Sequence, residues 1–274
     1  MNKILCPVDF SNTALNALEF AAAIARKYQC RITLLHVFTE RDFNRIVGEE
    51  AYGKSFKELL ALASTRLSAL ADTISNGSTI NCDYRIELGE LTPQLQNLVE
   101  GEHYDYIVMG TTGVSKTNGI YFGSQTEEVI DKIKTPIMCI PDQATFNGFH
   151  NLVYASDYAE EDKLAIQDVI SFATFFDSRI SVLHINQQDR EVHYKQFVEE
   201  LESFIQYSKI SFVNKEFKGS VGLGIDEHMQ EEKADLLVVF KQHRNFVSSI
   251  FHKSLTKTLA YSTDKPLLVL KLEV

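Results

Sequence analysis

The sequence predicts an α/β protein made of two tandem, doubly wound parallel sheets, each of five strands with helices on both faces. Three observations predict it. Residues 105–140 align without a gap to residues 235–270 at an offset of 130, so that Asp105 meets Asp235, Ser124 meets Ser254 and Pro136 meets Pro266. The N-terminal ends repeat at an offset of 148, with Ile4-Leu5-Cys6-Pro7-Val8-Asp9 against Leu152-Val153-Tyr154-Ala155-Ser156-Asp157 and Leu35-His36-Val37 against Leu183-His184-Ile185. Within each copy, apolar runs of strand length alternate with stretches of helical period, and strict alternation implies parallel strands joined by right-handed crossovers. The second copy is 18 residues shorter in its middle, a loss that falls in the region of residues 39–77, where surface length is tolerated. The copies meet near residues 143–150, which gives domains over 1–143 and 149–274.

Each element of the first copy has a local reason. Residues 3–8 read as a buried strand. Ala14, Leu15, Leu18, Ala22 and Ala25 then recur at three- and four-residue spacing as one face of a helix that Ser11 can cap, with Asp9 as a competing helix-start residue. Residues 31–38 form a second strand, followed by a helix around 55–74 and a strand around 81–87. A helix around 93–100, a strand at 106–109, a helix from 124 to about 134 and a strand at 137–140 complete the unit.

Composition narrows the function. The net charge of −10 divides evenly, −5 in each half, which argues against nucleic acid as the main partner, since a basic face is needed to displace counterions from phosphates. No apolar stretch reaches the length that spans a bilayer and no apolar leader segment opens the chain, so no membrane association and a cytoplasmic location are expected. Cys6, Cys30, Cys82 and Cys139 are widely spaced with no C-x-x-C pair, and read as reduced structural thiols without a metal or a disulfide.

In a doubly wound sheet, ligands sit beyond the carboxyl ends of the strands where the strand order reverses. Three segments of the first copy converge there. Pro7-Val8-Asp9 leaves the first strand, His36-Val37-Phe38 leaves the second, and Met109-Gly110-Thr111 leads into Gly113 and, ten residues on, into Gly123-Ser124-Gln125-Thr126. Glycines at these positions allow backbone N–H groups to approach an anion, and Gly123-Ser124 falls at a helix N-terminus, where exposed amides and the helix dipole favour phosphate. No G-x-x-x-x-G-K-[ST] run occurs, so a P-loop mechanism is not available.

The run Gly110-x2-Gly113-x9-Gly123-Ser124 resembles the adenine-nucleotide motif of the ATP-binding universal stress proteins, and Ile4 to Ser11 is similar to their opening strand and turn. The resemblance covers the whole chain as a tandem pair, strongly in the first copy and moderately in the second. It implies a strand order of 3-2-1-4-5, two domains about a pseudo-two-fold axis, and ATP or another adenine nucleotide as ligand, with Mg or Mn accompanying it. By the same resemblance Pro7, Val8 and Asp9 border the adenosine end, with Asp9 holding it, and Val37 offers backbone groups to adenine. Met109, Gly110, Thr111 and Gly113 border the ribose and phosphates. Gly123, Ser124, Gln125 and Thr126 bind the phosphates through amides and hydroxyls. Gln125 departs from the apolar residue often found there, and the contact expected of it is through the backbone.

The second copy replaces the glycines: Phe240 stands for Gly110, His243 for Gly113 and Lys253 for Gly123, while Ser254 and the acidic Asp157 are retained. No tight nucleotide binding is expected in this half. Lys241, Arg244, Lys253 and Lys257, joined by His243 and His252 in a stretch without acidic residues, leave open an anion held by side chains. Gly219-Ser220-Val221-Gly222-Leu223-Gly224 reads as a plain turn before a helix. The function that follows is a nucleotide-binding, regulatory stress-response protein acting as an intramolecular domain pair, with a homodimer of such chains open. Two other readings stay open. One is a weak ATPase or autophosphorylating enzyme, for which the motif region supplies Lys116 but no acidic residue between Tyr106 and Thr126. The other is a non-nucleotide ligand or scaffold role, using a pocket lined by Phe240 and Phe246.

Overall fold

A computed structural model describes residues 1–38, 56–76, 79–111, 124–186, 191–241 and 265–271. These residues fall into two compact units, the first ending at Asp142 and the second beginning at Gln143. The first unit runs β1 (Lys3–Pro7), α1 (Asn12–Tyr28), β2 (Arg31–Phe38), α2 (Phe56–Ser75), β3 (Cys82–Leu88), α3 (Leu91–Gly101), β4 (Tyr106–Thr111), α4 (Ser124–Lys132) and β5 (Ile137–Pro141). Its strands pair in parallel in the order β3-β2-β1-β4-β5. The second unit runs β6 (Asn151–Ala155), α5 (Asp162–Phe176), β7 (Arg179–Asn186), α6 (Glu191–Glu202), β8 (Ile210–Glu216), α7 (Val221–Glu231), β9 (Leu236–Phe240) and β10 (Leu267–Leu270). Its order is β8-β7-β6-β9-β10, again parallel. Both are the 3-2-1-4-5 order that the family resemblance implies.

The central strands are apolar along their whole length because both faces are covered. In β1, Ile4, Leu5 and Cys6 are all fully buried. Helix α1 lies against β1, β2, β4 and β5. The alanines Ala17, Ala21, Ala22 and Ala25 line its buried face, and their small volume lets the helix approach the sheet closely. Ser11 caps it, its hydroxyl accepting the Ala14 N–H at 3.2 Å. Helix α2 covers β2 and β3, and α3 packs on α4. The crossover direction reverses between β3 and β4, which carries these last two helices to the opposite face.

The repeat extends to small details. The Asp105 carboxylate accepts the N–H groups of Asn2 and Lys3, and Asp235 accepts those of His150 and Asn151. Both pin the start of a first strand. Gln29 and Asp177 end α1 and α5 in the left-handed conformation, at φ 53° and 59°.

Two of the differences from the sequence reading have a clear local cause. Helix α3 starts at Leu91, two residues before Pro93, because a proline within the first turn removes an N–H that has no helical partner. In the second unit Ser220 caps α7 and Gly222 and Gly224 lie inside that helix. A Cβ on Gly224 would come within 2.9 Å of Ile185 Cδ1. The glycine-rich run therefore serves a turn and close helix packing. None of the four cysteines is in a disulfide, and burial pushes the pKa values of Cys30 and Cys82 up to about 11 and about 12.

Candidate functional site

The strand register sets the height of each site residue. Pro7 lies opposite Leu35 on β2 and Leu5 opposite Ile107 on β4, and the Val8 N–H still reaches the Leu35 carbonyl, so Asp9 follows directly on the exit of β1 between β2 and β4. This is the switch point, where the chain has wound outward from β1 on one side and resumes at β4 on the other. Asp9 is exposed, and its Oδ1 accepts the Ser11 N–H at 2.9 Å, a turn that joins it to the α1 cap. Between them Phe10 takes φ 63° and swings its ring onto His36, with centroids 4.7 Å apart. His36 also meets Phe38 edge-on at 4.6 Å, and the Arg66 guanidinium of α2 lies 4.9 Å over Phe10.

Backbone direction matters as much as side chains here. Leu35 bonds to the β1 side, its carbonyl accepting Val8 N–H at 2.8 Å, and Phe38 bonds to the β3 side, accepting Gly89 N–H at 2.9 Å. Alternation in a parallel ladder then turns the N–H and C=O of Val37 toward β1, at a height where β1 has already ended. A donor and an acceptor on one edge suit the edge of a heterocyclic base.

The other expected residues divide by burial. Pro7, Val8, Met109 and Thr111 are buried, and the Thr111 hydroxyl donates to the Ile140 carbonyl at 3.3 Å. Ser124 and Gln125 are exposed on the first turn of α4, whereas Thr126 is buried and turns its side chain inward. For Gly110 there is a packing reason beyond any ligand: a Cβ there would lie 2.6 Å from the Thr13 carbonyl oxygen. Gly113, Lys116 and Gly123 lie outside the described residues, as do His243, Arg244, Phe246, His252, Lys253, Ser254 and Lys257. Among the described residues no group of three or more His, Cys, Asp or Glu is placed to hold a metal ion.

The second unit keeps the turn and changes its filling. Asp157 is exposed like Asp9, Tyr158 takes φ 59° like Phe10, and its ring stacks on His184 at 4.3 Å. At the position of Ala14, however, stands Asp162, whose buried carboxylate accepts the hydroxyls of Tyr154 and Ser156 and the N–H groups of Asp157 and Ala159. Burial, together with that carboxylate, holds the Tyr154 phenol well above its usual range. The turn is thus tied down by an anion belonging to the chain. Phe240 is buried and Lys241, at the height of Asp157, is half-buried.

The sequence does not single out Asp162 or Arg66, and it offers His36 only as part of the segment that leaves β2. The repeat had already aligned His36 with His184, which was the available signal. Arg66 carries none, since only the fold brings α2 over Phe10.

Two tandem doubly wound α/β units, each with its strand order reversing beside its first strand, define the Rossmann-like class. The model described as the universal stress protein family matches residues 1–141, and the chain belongs to that family. It is 29% identical over 152 residues to Universal stress protein MJ0577 of Methanocaldococcus jannaschii, covering 50% of this chain and 93% of the relative. To the Thermus aquaticus universal stress protein in the QAH/OAS sulfhydrylase 3'region it is 26% identical over 138 residues, covering 50% and 96%. A solved universal stress protein from Archaeoglobus fulgidus superposes with a TM-score of 0.78 at 18% identity over 98% of each chain. A putative universal stress protein from Pseudomonas aeruginosa gives 0.64 at 14%, over 99% of this chain and 93% of that one. At such identities the likeness bears on the fold.

Proposed function

We propose that the first domain, residues 1–143, binds ATP or another adenine nucleotide, and that the chain is a cytoplasmic regulatory protein of the stress response whose second domain, residues 149–274, binds no nucleotide tightly. The observation that carries this reading is the register. It leads β1 into the switch point beside Val37, whose N–H and C=O face the β1 side, with Asp9 exposed at the strand's exit and the amides of α4 beginning at Ser124 on the crossover that follows β4. An exposed carboxylate suits ribose hydroxyls, a paired N–H and C=O suit adenine, and a helix N-terminus suits phosphate. The glycine spacing that resembles the ATP-binding members supports the same ligand. A Mg or Mn ion would enter with the phosphates and neutralise part of their charge.

The test is mass and absorbance analysis of small molecules released when freshly purified protein is denatured, beside an Asp9→Ala, Gly123→Lys double variant. Gly110 is left alone because changing it would disturb α1. Equimolar adenine nucleotide from the wild type and none from the variant is expected. No nucleotide from either, with no heat of ATP binding by calorimetry, would overturn the reading.

A further inference from the structure

We infer that His36 is a positioning residue of the nucleotide site, which takes over the Val8 carbonyl and thereby leaves the Val37 N–H for the base of the ligand. This role rests on the nucleotide reading above and deepens it.

In a parallel pair the residue that gives its carbonyl to one partner amide has its N–H and C=O on the same edge as the residue two further on. Leu35 accepts Val8 N–H at 2.8 Å, so the next bond of a continuing ladder would run from Val37 N–H to the Val8 carbonyl. Among the described residues that carbonyl is instead met by the His36 ring, Nδ1 to oxygen 2.7 Å. A carbonyl only accepts, so the imidazole carries its proton on Nδ1 and donates. One side chain thus does two things. It satisfies a buried acceptor that would otherwise draw the two strands together for one more bond, and it lets the backbone turn through Phe10 at φ 63° to present Asp9. The ring is itself held, packed against Phe10 and Phe38 and largely buried.

The second unit repeats the device. Ser156 N–H donates to the Leu183 carbonyl at 2.9 Å, His184 Nδ1 meets the Ser156 carbonyl at 2.8 Å, and Tyr158 takes φ 59°. There the turn is also tied by Asp162, so the histidine serves folding without a ligand to position. A purely structural role would make His36 and His184 equivalent. A positioning role makes them differ.

Calorimetric ATP titration of the full chain would compare wild type with His36→Phe, His36→Asn and His184→Phe, and amide hydrogen exchange would follow Val37 in the ligand-free proteins. His36→Phe keeps the ring packing and loses the donor. It is expected to weaken ATP binding about tenfold, the scale of one net hydrogen bond, and to slow exchange at Val37 as its N–H turns to the Val8 carbonyl. His36→Asn, whose side-chain N–H reaches the same carbonyl, is expected to recover most of the affinity, and His184→Phe to leave it unchanged. If His36→Phe does not fold, His36→Leu, which also lacks the donor, is read by the same titration and the same Val37 exchange with the same expected and refuting results. Wild-type affinity and unchanged Val37 exchange in His36→Phe would overturn this role while leaving nucleotide binding intact; a wild type that binds no ATP would remove the nucleotide reading and this role together.

Discussion

Replacing Gly110 by alanine tests the packing of α1 on β4 apart from any ligand. The added Cβ would lie 2.6 Å from the Thr13 carbonyl oxygen and 2.8 Å from both its carbonyl carbon and Cγ2. Real Cβ atoms do not approach closer than 3.0 Å, so the helix start must withdraw by at least 0.4 Å. Two of the three atoms are backbone, which rules out relief by a rotamer change. Overpacking of this kind costs about 1–3 kcal/mol, and a backbone obstacle places Gly110→Ala near 2 kcal/mol or above. Urea denaturation followed by circular dichroism would read this as a fall in the first unit's midpoint of roughly 1 M, given slopes of about 1–3 kcal/mol per molar. Gly101, whose added Cβ would meet nothing within 4 Å, is the control. Gly101→Ala should be neutral or stabilising by up to about 1 kcal/mol. A Gly110→Ala midpoint equal to that of Gly101→Ala would refute the packing argument, and Gly110 would then be a glycine kept for a ligand.

Two predictions concern the second unit. Asp162→Ala leaves the hydroxyls of Tyr154 and Ser156 and the N–H groups of Asp157 and Ala159 without their shared acceptor, and should cost about 2–4 kcal/mol in denaturant; a loss below about 1 kcal/mol would show that water replaces the carboxylate. His228 lies buried between α7 and β7, its Nε2 2.8 Å from the Ser181 hydroxyl, with Glu231, Glu232 and Lys215 facing it, and burial holds its pKa below the ordinary 6.5. As pH falls through 6.5 the unfolded chain takes up this proton before the folded one, so stability should decline from neutral toward acid. His228→Asn should flatten that slope, and equal slopes in variant and wild type would exclude the residue as its source.

Much of this architecture is readable from the chain because its causes are local or repeated. The apolar run Ile4-Leu5-Cys6 can only be a strand covered on both faces, Ser11 sits where α1 needs an acceptor, and the two offsets bracket the shortened segment. β1 and β2 run side by side in parallel, with Pro7 opposite Leu35, as the alternation of apolar runs and helical stretches requires. What escaped reading depends on distant contacts. Gly110 looks like a ligand glycine in sequence, and the fold adds a packing demand from Thr13, almost a hundred residues earlier, that the sequence does not show. Thr126 carries a hydroxyl that a phosphate could use, but three residues into a helix it faces the core. Asp162 was hidden by the neighbouring Asp157, which occupies the expected acidic position while the buried carboxylate does the binding.

Asp162 has a consequence for how the chain responds to its surroundings. The turn after β6 is complete as soon as the second unit folds, since the anion it closes on is covalently present at fixed concentration. On the proposed reading the turn after β1 closes on a molecule from outside, and occupancy at a hundred times the dissociation constant adds about 2.7 kcal/mol to that unit. One half of the polypeptide then varies with nucleotide supply while the other holds steady, an internal reference carried beside the gauge.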